Sequence, residues 1–172
     1  MQFRDLMQLP HNSANGRIEL DDLKRALPET PEEILSQLHE EHGRNPEFHR
    51  QYEGLDIAAL RWKLVNLRAK DICGASLNPN FARYVRMTQE KVMSLDLVTL
   101  KGLDGRPNVV GSWLTRKTWL TPPVLLRGAI AASRAAYHLV EGHTRVGVLC
   151  GFLERRAISG ESMHKVWLGD VN

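Results

Sequence analysis

Cysteine is scarce in this sequence. Only Cys73 and Cys150 occur, far apart and neither in a Cys-x-x-Cys pair. That excludes a disulfide-dense scaffold and leaves a structural zinc site without suitably spaced ligands. Both are expected as buried thiols in a reducing compartment. No apolar run reaches the roughly 18 residues that a membrane-spanning helix needs. The first stretch, MQFRDLMQLPHNSANGR, carries charge and breakers where a signal peptide needs an apolar core, so a cytoplasmic protein with no membrane partner is expected. Clustered charge of one sign is missing too. The net charge is +3, with a pI near 9.0, but Lys and Arg alternate with Asp and Glu along most of the chain. A nucleic-acid binder needs a concentrated basic patch, so DNA is not an expected partner. Internal repeats, low-complexity segments and Gly/Ser linkers are also lacking, which favours regions that pack together over regions that swing freely.

What is present suffices for a core. At 172 residues, 42% hydrophobic and 25% charged, the chain can form one packed domain, or a small helical region attached to a compact core. The first ninety or so residues read as helices. In TPEEILSQLHEEHG, Thr30 stands as N-cap, Pro31 at the first helical position and Glu33 in a capping box, with Ile34, Leu35 and Leu38 apolar and Gly43 at the end. His39 and His42 in that helix are two residues apart where a zinc-binding His-Glu-x-x-His helix has three, so no metal is expected there. His42 beside Gly43 suits the negative end of the helix dipole. In LDIAALRWKLVNL, Asp56 reads as a cap, and Ile57, Leu60, Leu64 and Leu67 form one stripe of helical period. NPNFARYVRMTQEKV starts on Asn78-Pro79 and repeats Phe81, Tyr84, Val85 and Val92, with Arg83, Arg86 and Lys91 turned to solvent.

Beyond residue 93 the period changes. SLDLVTL reads as a short strand, RPNVVGSWLTRK as a short helix opened by Pro107, and PPVLLRG and YHLV as two short strands. TRVGVLCGFLERRA then has Val146, Leu149, Cys150 and Leu153 at helical spacing. In MHKVWLG, His164, Val166 and Leu168 alternate with Lys165 and Trp167 as in a final strand. The sequence thus predicts an α+β chain, with a helical region over 1–93 and a mixed sheet with helices over 94–172. The residues Pro123 to Arg127, Tyr137 to Val140 and His164 to Leu168 should be strands of one sheet. Trp62, Trp113, Trp119 and Trp167 each lie in or beside an apolar pattern and are expected in the core rather than on a base-stacking platform.

Between YHLV and the next helix stands Glu141-Gly142-His143-Thr144-Arg145. A glycine at a strand-to-helix turn permits backbone conformations closed to other residues and allows a ligand to approach. The first amides of the helix point outward and favour an anion. Thr144 adds a hydroxyl, Arg145 a five-donor fork suited to phosphate, and His143 a further donor. The turn therefore reads as a phosphate seat made by Gly142, His143, Thr144 and Arg145. A plainer reading is that Glu141 and Arg145 pair at i, i+4, with Thr144 or His143 capping the helix.

The segment PPVLLRG…YHLVEGHTRVGVL, and the chain from about Leu95 to Leu168, resembles the ParB/sulfiredoxin-like fold family. There a Pro-x-x-Val strand is followed by a strand that ends in a Gly-x-x-Arg turn and then by a helix. The resemblance implies a small mixed-sheet domain carrying the N-terminal helical region, with nucleotide phosphates held at the turn. It matches Gly142 and Arg145 to the glycine and arginine of that turn, Glu141 to its acidic position and His143 to the histidine of the kinase-like relatives. A nucleoside triphosphate with magnesium is the implied cofactor. In an enzyme of this kind, Glu141 would orient a water or accept a proton during phosphoryl transfer or nucleotide hydrolysis. Sulfinic acid reduction is not implied, because His143 holds the place of the reactive cysteine. Thr144 stands where ParB has a second arginine, and no helix-turn-helix follows. The alternative is a non-catalytic protein-binding module, such as an antitoxin or immunity-like protein.

Overall fold

The computed structural model describes residues 1–94 and 107–171, excepting the side chains of 107–110. The chain is α+β. Among the described residues, five strands lie in one mixed sheet of order β1-β5-β3-β4-β2: β1 (Arg61–Arg68), β2 (Ser76–Leu77), β3 (Val124–Arg127), β4 (Tyr137–Glu141) and β5 (Met163–Asp170). The three segments predicted as strands of one sheet are β3, β4 and β5. The expected strand SLDLVTL lies, beyond Ser94, outside the described residues. The chain divides into two compact units, Met1–Lys63 with Leu168–Asn172, and Leu64–Trp167.

The first unit is built from short helices. A 3-10 turn, Phe3–Gln8, precedes α1 (Leu20–Ala26), α2 (Glu32–Ile34), a π-helical continuation Leu35–Glu40, and α3 (Pro46–Tyr52). The capping box expected at Thr30 is not formed. Pro31 is the N-cap of α2 and makes no side-chain bond, whereas Thr30 is buried and donates its N–H to Leu27 O at 3.1 Å, closing the preceding turn. Asn45 is the better cap: its side chain accepts from Glu47 N at 2.9 Å, with Pro46 at the first helical position of α3. Phe3, Leu6, Ile18, Leu23, Ile34, Leu35 and Phe48 fill the interior.

LDIAALRWKLVNL corrects the sequence reading most clearly. Ile57 and Leu60 are buried in a turn, but Arg61–Arg68 is strand β1, in which Leu64 is 45% exposed. A stripe of helical period was present, and pairing in the sheet overrode it; Trp62 and Val65 are strand-favouring residues in the same stretch.

In the second unit, α4 (Ala69–Cys73) follows β1, and α5 (Pro79–Ser94), α6 (Pro107–Arg116) and α7 (His143–Glu154) surround β2, β3 and β4 in the chain order. β2 runs parallel to β4, with Ser76 opposite His138, while β3 is antiparallel to β4, with Leu126 opposite His138 and Arg127 opposite Tyr137. That last pair is a cation-π contact, the Arg127 guanidinium lying 5.5 Å from the Tyr137 ring centroid. Helices α5 and α7 pack with their backbones close. A Cβ on Gly147 would stand 2.6 Å from Val85 O, and one on Gly151 would stand 2.5 Å from Val92 Cβ, so the spacing of these two glycines on α7 sets the approach. Trp113, Trp119 and Phe152 form an aromatic core with His164. Trp113 stacks on Phe152 at 5.4 Å between centroids, and Trp119 Nε1 donates to Lys165 O at 2.7 Å.

The cysteines depart from the expectation of two buried thiols. Cys73, at the end of α4, and Cys150, on α7, form a disulfide across 77 residues of sequence, with their Cα atoms 5.6 Å apart, and no free cysteine remains. Neither spacing nor motif marks the pair; the fold brings the two residues within bridging distance.

Candidate functional site

The turn after β4 is positioned by burial on both sides. Leu139 and Val140 are core residues of β4, and Val146, Val148 and Leu149 are core residues of α7, so the chain between them is held at both ends. Gly142 joins the two as the N-cap of α7, with φ +98°, a left-handed conformation that strongly favours glycine. It is itself buried. A Cβ there would meet Pro123 Cβ at 2.5 Å, so the close approach that glycine permits is taken up by the chain's own Pro123.

Glu141 and Arg145 are brought together. Arg145 Nη2 donates to Glu141 Oε2 at 2.9 Å, and both side chains are mostly buried, 16% and 19% exposed. Arg145 Nη1 also donates to Thr121 O at 2.7 Å and to Pro122 O at 3.3 Å. The planar fork thus fastens the first turn of α7 to the acid at the end of β4 and to the carbonyls leading into β3. This is the i, i+4 pair of the plainer reading, strengthened by two backbone acceptors that the sequence did not signal. Thr121, Pro122 and Pro123 lie in TPPVLLRG, whose prolines marked only a turn; their part in holding the arginine depends on a tertiary contact.

His143 and Thr144 occupy the first two positions of α7 and are half-buried. The His143 ring stands 5.1 Å from the Phe81 ring of α5, tilted by 47°. Phe81 was read only as part of an apolar stripe; it also buttresses the imidazole. The first turn of α7 contains no acidic residue, and Gly142 offers no side chain to close it. The first amides of a helix have no acceptor within the helix, and the partial positive charge there favours an anion.

Behind the turn, His138 of β4 is buried and its Nδ1 lies 2.8 Å from Ser76 Oγ, while burial lowers its pKa below the ordinary value. It is held in the sheet and faces the Ser76 hydroxyl. His39, the other histidine of interest in the sequence, is fully buried in the first unit, and the ring of His42 stacks on Phe48 at 4.2 Å. Among the described residues, no helix is long and apolar enough to cross a membrane. No family model, no curated protein and no solved structure matches this chain.

Proposed function

We propose that the chain binds a phosphate-bearing ligand, with a nucleotide as the preferred class, at the first turn of α7. The observation that carries this reading is the glycine-capped, acid-free start of a twelve-residue helix directly after a buried strand, with the Thr144 hydroxyl and the His143 ring half-buried beside it. The strand-turn-helix arrangement also keeps the reading compatible with a ParB/sulfiredoxin-like site and with a nucleoside triphosphate carrying magnesium. In this reading the amides of His143 and Thr144 and the Thr144 hydroxyl meet the phosphate. Gly142 sets the turn, and Arg145 is a positioning residue that holds the turn through Glu141 and the carbonyls of Thr121 and Pro122. The half-buried ring and hydroxyl give the ligand a defined seat rather than a diffuse electrostatic surface.

A second reading, a non-catalytic binding module, is favoured by a specific observation. The two groups that would perform chemistry, Glu141 and Arg145, are engaged with each other. That engagement supports binding without turnover, because hydrolysis or phosphoryl transfer would require Glu141 to leave Arg145. Thermal shift with ATP, CTP, GTP and inorganic phosphate, each with and without magnesium, tests binding, because a ligand that binds only the native state must raise apparent stability. Thr144→Val should weaken the response about tenfold in affinity, the equivalent of one lost hydrogen bond of about 1.4 kcal/mol. No shift with any of these ligands would overturn the proposal. Release of inorganic phosphate would decide between turnover and binding alone.

A further inference from the structure

The Cys73–Cys150 bridge faces solvent through a cavity that the phosphate reading does not use. The cavity measures about 410 Å³, and Cys73, Leu77, Val85, Arg86, Cys150 and Glu154 contribute to its lining. That is within the roughly 300–1,000 Å³ common for small-molecule sites. The two sulfur-bearing residues differ in access: Cys73 is half-buried, whereas Cys150 is 9% exposed. Of the two residues, Cys73 is the more exposed. Two exposed residues of opposite charge line it, Arg86 on α5 and Glu154 at the end of α7, the latter accepting from Gln89 Nε2 at 2.6 Å. Leu77 and Val85 add apolar lining.

We propose that this cavity is a thiol–disulfide exchange site for a small zwitterionic thiol, one that carries both a carboxylate and an ammonium group. Arg86 faces the carboxylate, Glu154 faces the ammonium, and the sulfur enters toward Cys73. The incoming thiolate attacks Cys73 Sγ, the Cys73–Cys150 bond breaks, and Cys150 leaves as a thiolate that takes a proton from water. Cys73 is then a mixed disulfide with the small thiol. A second molecule of the same thiol attacks that mixed disulfide, releasing the oxidised small-molecule disulfide and Cys73 as a thiol. Over both steps two small thiols are oxidised and the protein disulfide is reduced to two thiols, so atoms and electrons balance. The site is independent of the phosphate reading, and either can fail without the other.

The test uses the full folded chain, purified without reductant, and reduced glutathione as the probe. Intact mass first establishes the disulfide; a chain with two free thiols would overturn the proposal. Brief exposure to glutathione, acid quenching and peptide mapping should then find the adduct on Cys73 and the thiol on Cys150. An adduct mainly on Cys150 would overturn it. The first-step rate with glutathione, relative to that with neutral 2-mercaptoethanol and normalised to a small unfolded disulfide, should fall about two- to fivefold in Arg86→Ala, the range for an exposed ion pair. An unchanged ratio would remove the zwitterion from the proposal, and exchange that occurs only in denaturant would remove the site.

Discussion

Both units have an aromatic interior that includes a buried imidazole, and the second is also drawn shut by two glycines and a disulfide. His39 is fully buried beside Phe3, and neither of its ring nitrogens has a hydrogen-bond partner among the described residues. His164 of the second unit is also buried, yet its nitrogens lie 3.0 Å from Ser162 Oγ and 3.1 Å from Thr118 Oγ1. Both units therefore hold buried imidazoles that resist protonation, and the second adds a bond open to reductant. A buried ring without partners is indifferent to reductant and vulnerable to acid. A covalent tie between α4 and α7 is indifferent to acid and vulnerable to reductant. Burial lowers the pKa of His164 as it does that of His39, so the two rings differ in their partners and not in the direction of the shift.

Acid is the largest expected break in this comparison. Burial lowers the pKa of His39 to about 3, from an ordinary value of 6.5. The folded state binds the proton more weakly than the unfolded state does, so stability is fully present above about pH 6.5 and declines as the pH falls toward about 3. The full loss is about 5 kcal/mol, at ~1.4 kcal/mol per pH unit. Urea melts across that range should show the decline, and hydrogen exchange should place it at Leu35–Glu40. His39→Phe should flatten the profile. An equally steep profile in that variant would assign the acid sensitivity elsewhere.

Reduction comes next. Cutting the bridge restores chain entropy to the unfolded state, and for a 77-residue separation the loss of stability should be about 4.5 kcal/mol. Cys73→Ala with Cys150→Ala should behave like the reduced chain. The effect should appear as faster amide exchange in α7 and leave the first unit's exchange unchanged; loss of protection in both units together would merge the two into one cooperative body.

Arg145→Ala sharpens the comparison within the second unit. Its guanidinium is mostly buried and serves three acceptors, so its removal leaves Glu141 without this partner and should cost about 2 kcal/mol in a urea melt. An exposed pair would cost less than about 1 kcal/mol, and a result in that range would make the arginine dispensable to the turn.

How legible this was depends on distance in sequence. β4, α7 and the turn between them were plain because β-forming residues, a glycine and a helical period follow one another within Tyr137 to Glu154. α5 was equally plain from Asn78-Pro79 and its stripe. β1 was not. The stripe Ile57, Leu60, Leu64, Leu67 fits a helix until the neighbouring strand is considered, and that neighbour, β5, lies about a hundred residues away in sequence. The disulfide was hidden for the same reason. Within the candidate site, the residues on the turn were legible, whereas Phe81, Thr121 and Pro122, which hold His143 and Arg145, were not, because they reach it only through the fold.

The most direct test of the phosphate reading is amide NMR of the wild-type chain titrated with ATP and with inorganic phosphate, with and without magnesium. The account predicts that the largest chemical-shift changes fall on the backbone amides of His143 and Thr144 and that the changes weaken in Thr144→Val. Unperturbed amides at the start of α7, with no response or with changes centred elsewhere in the chain, would contradict it.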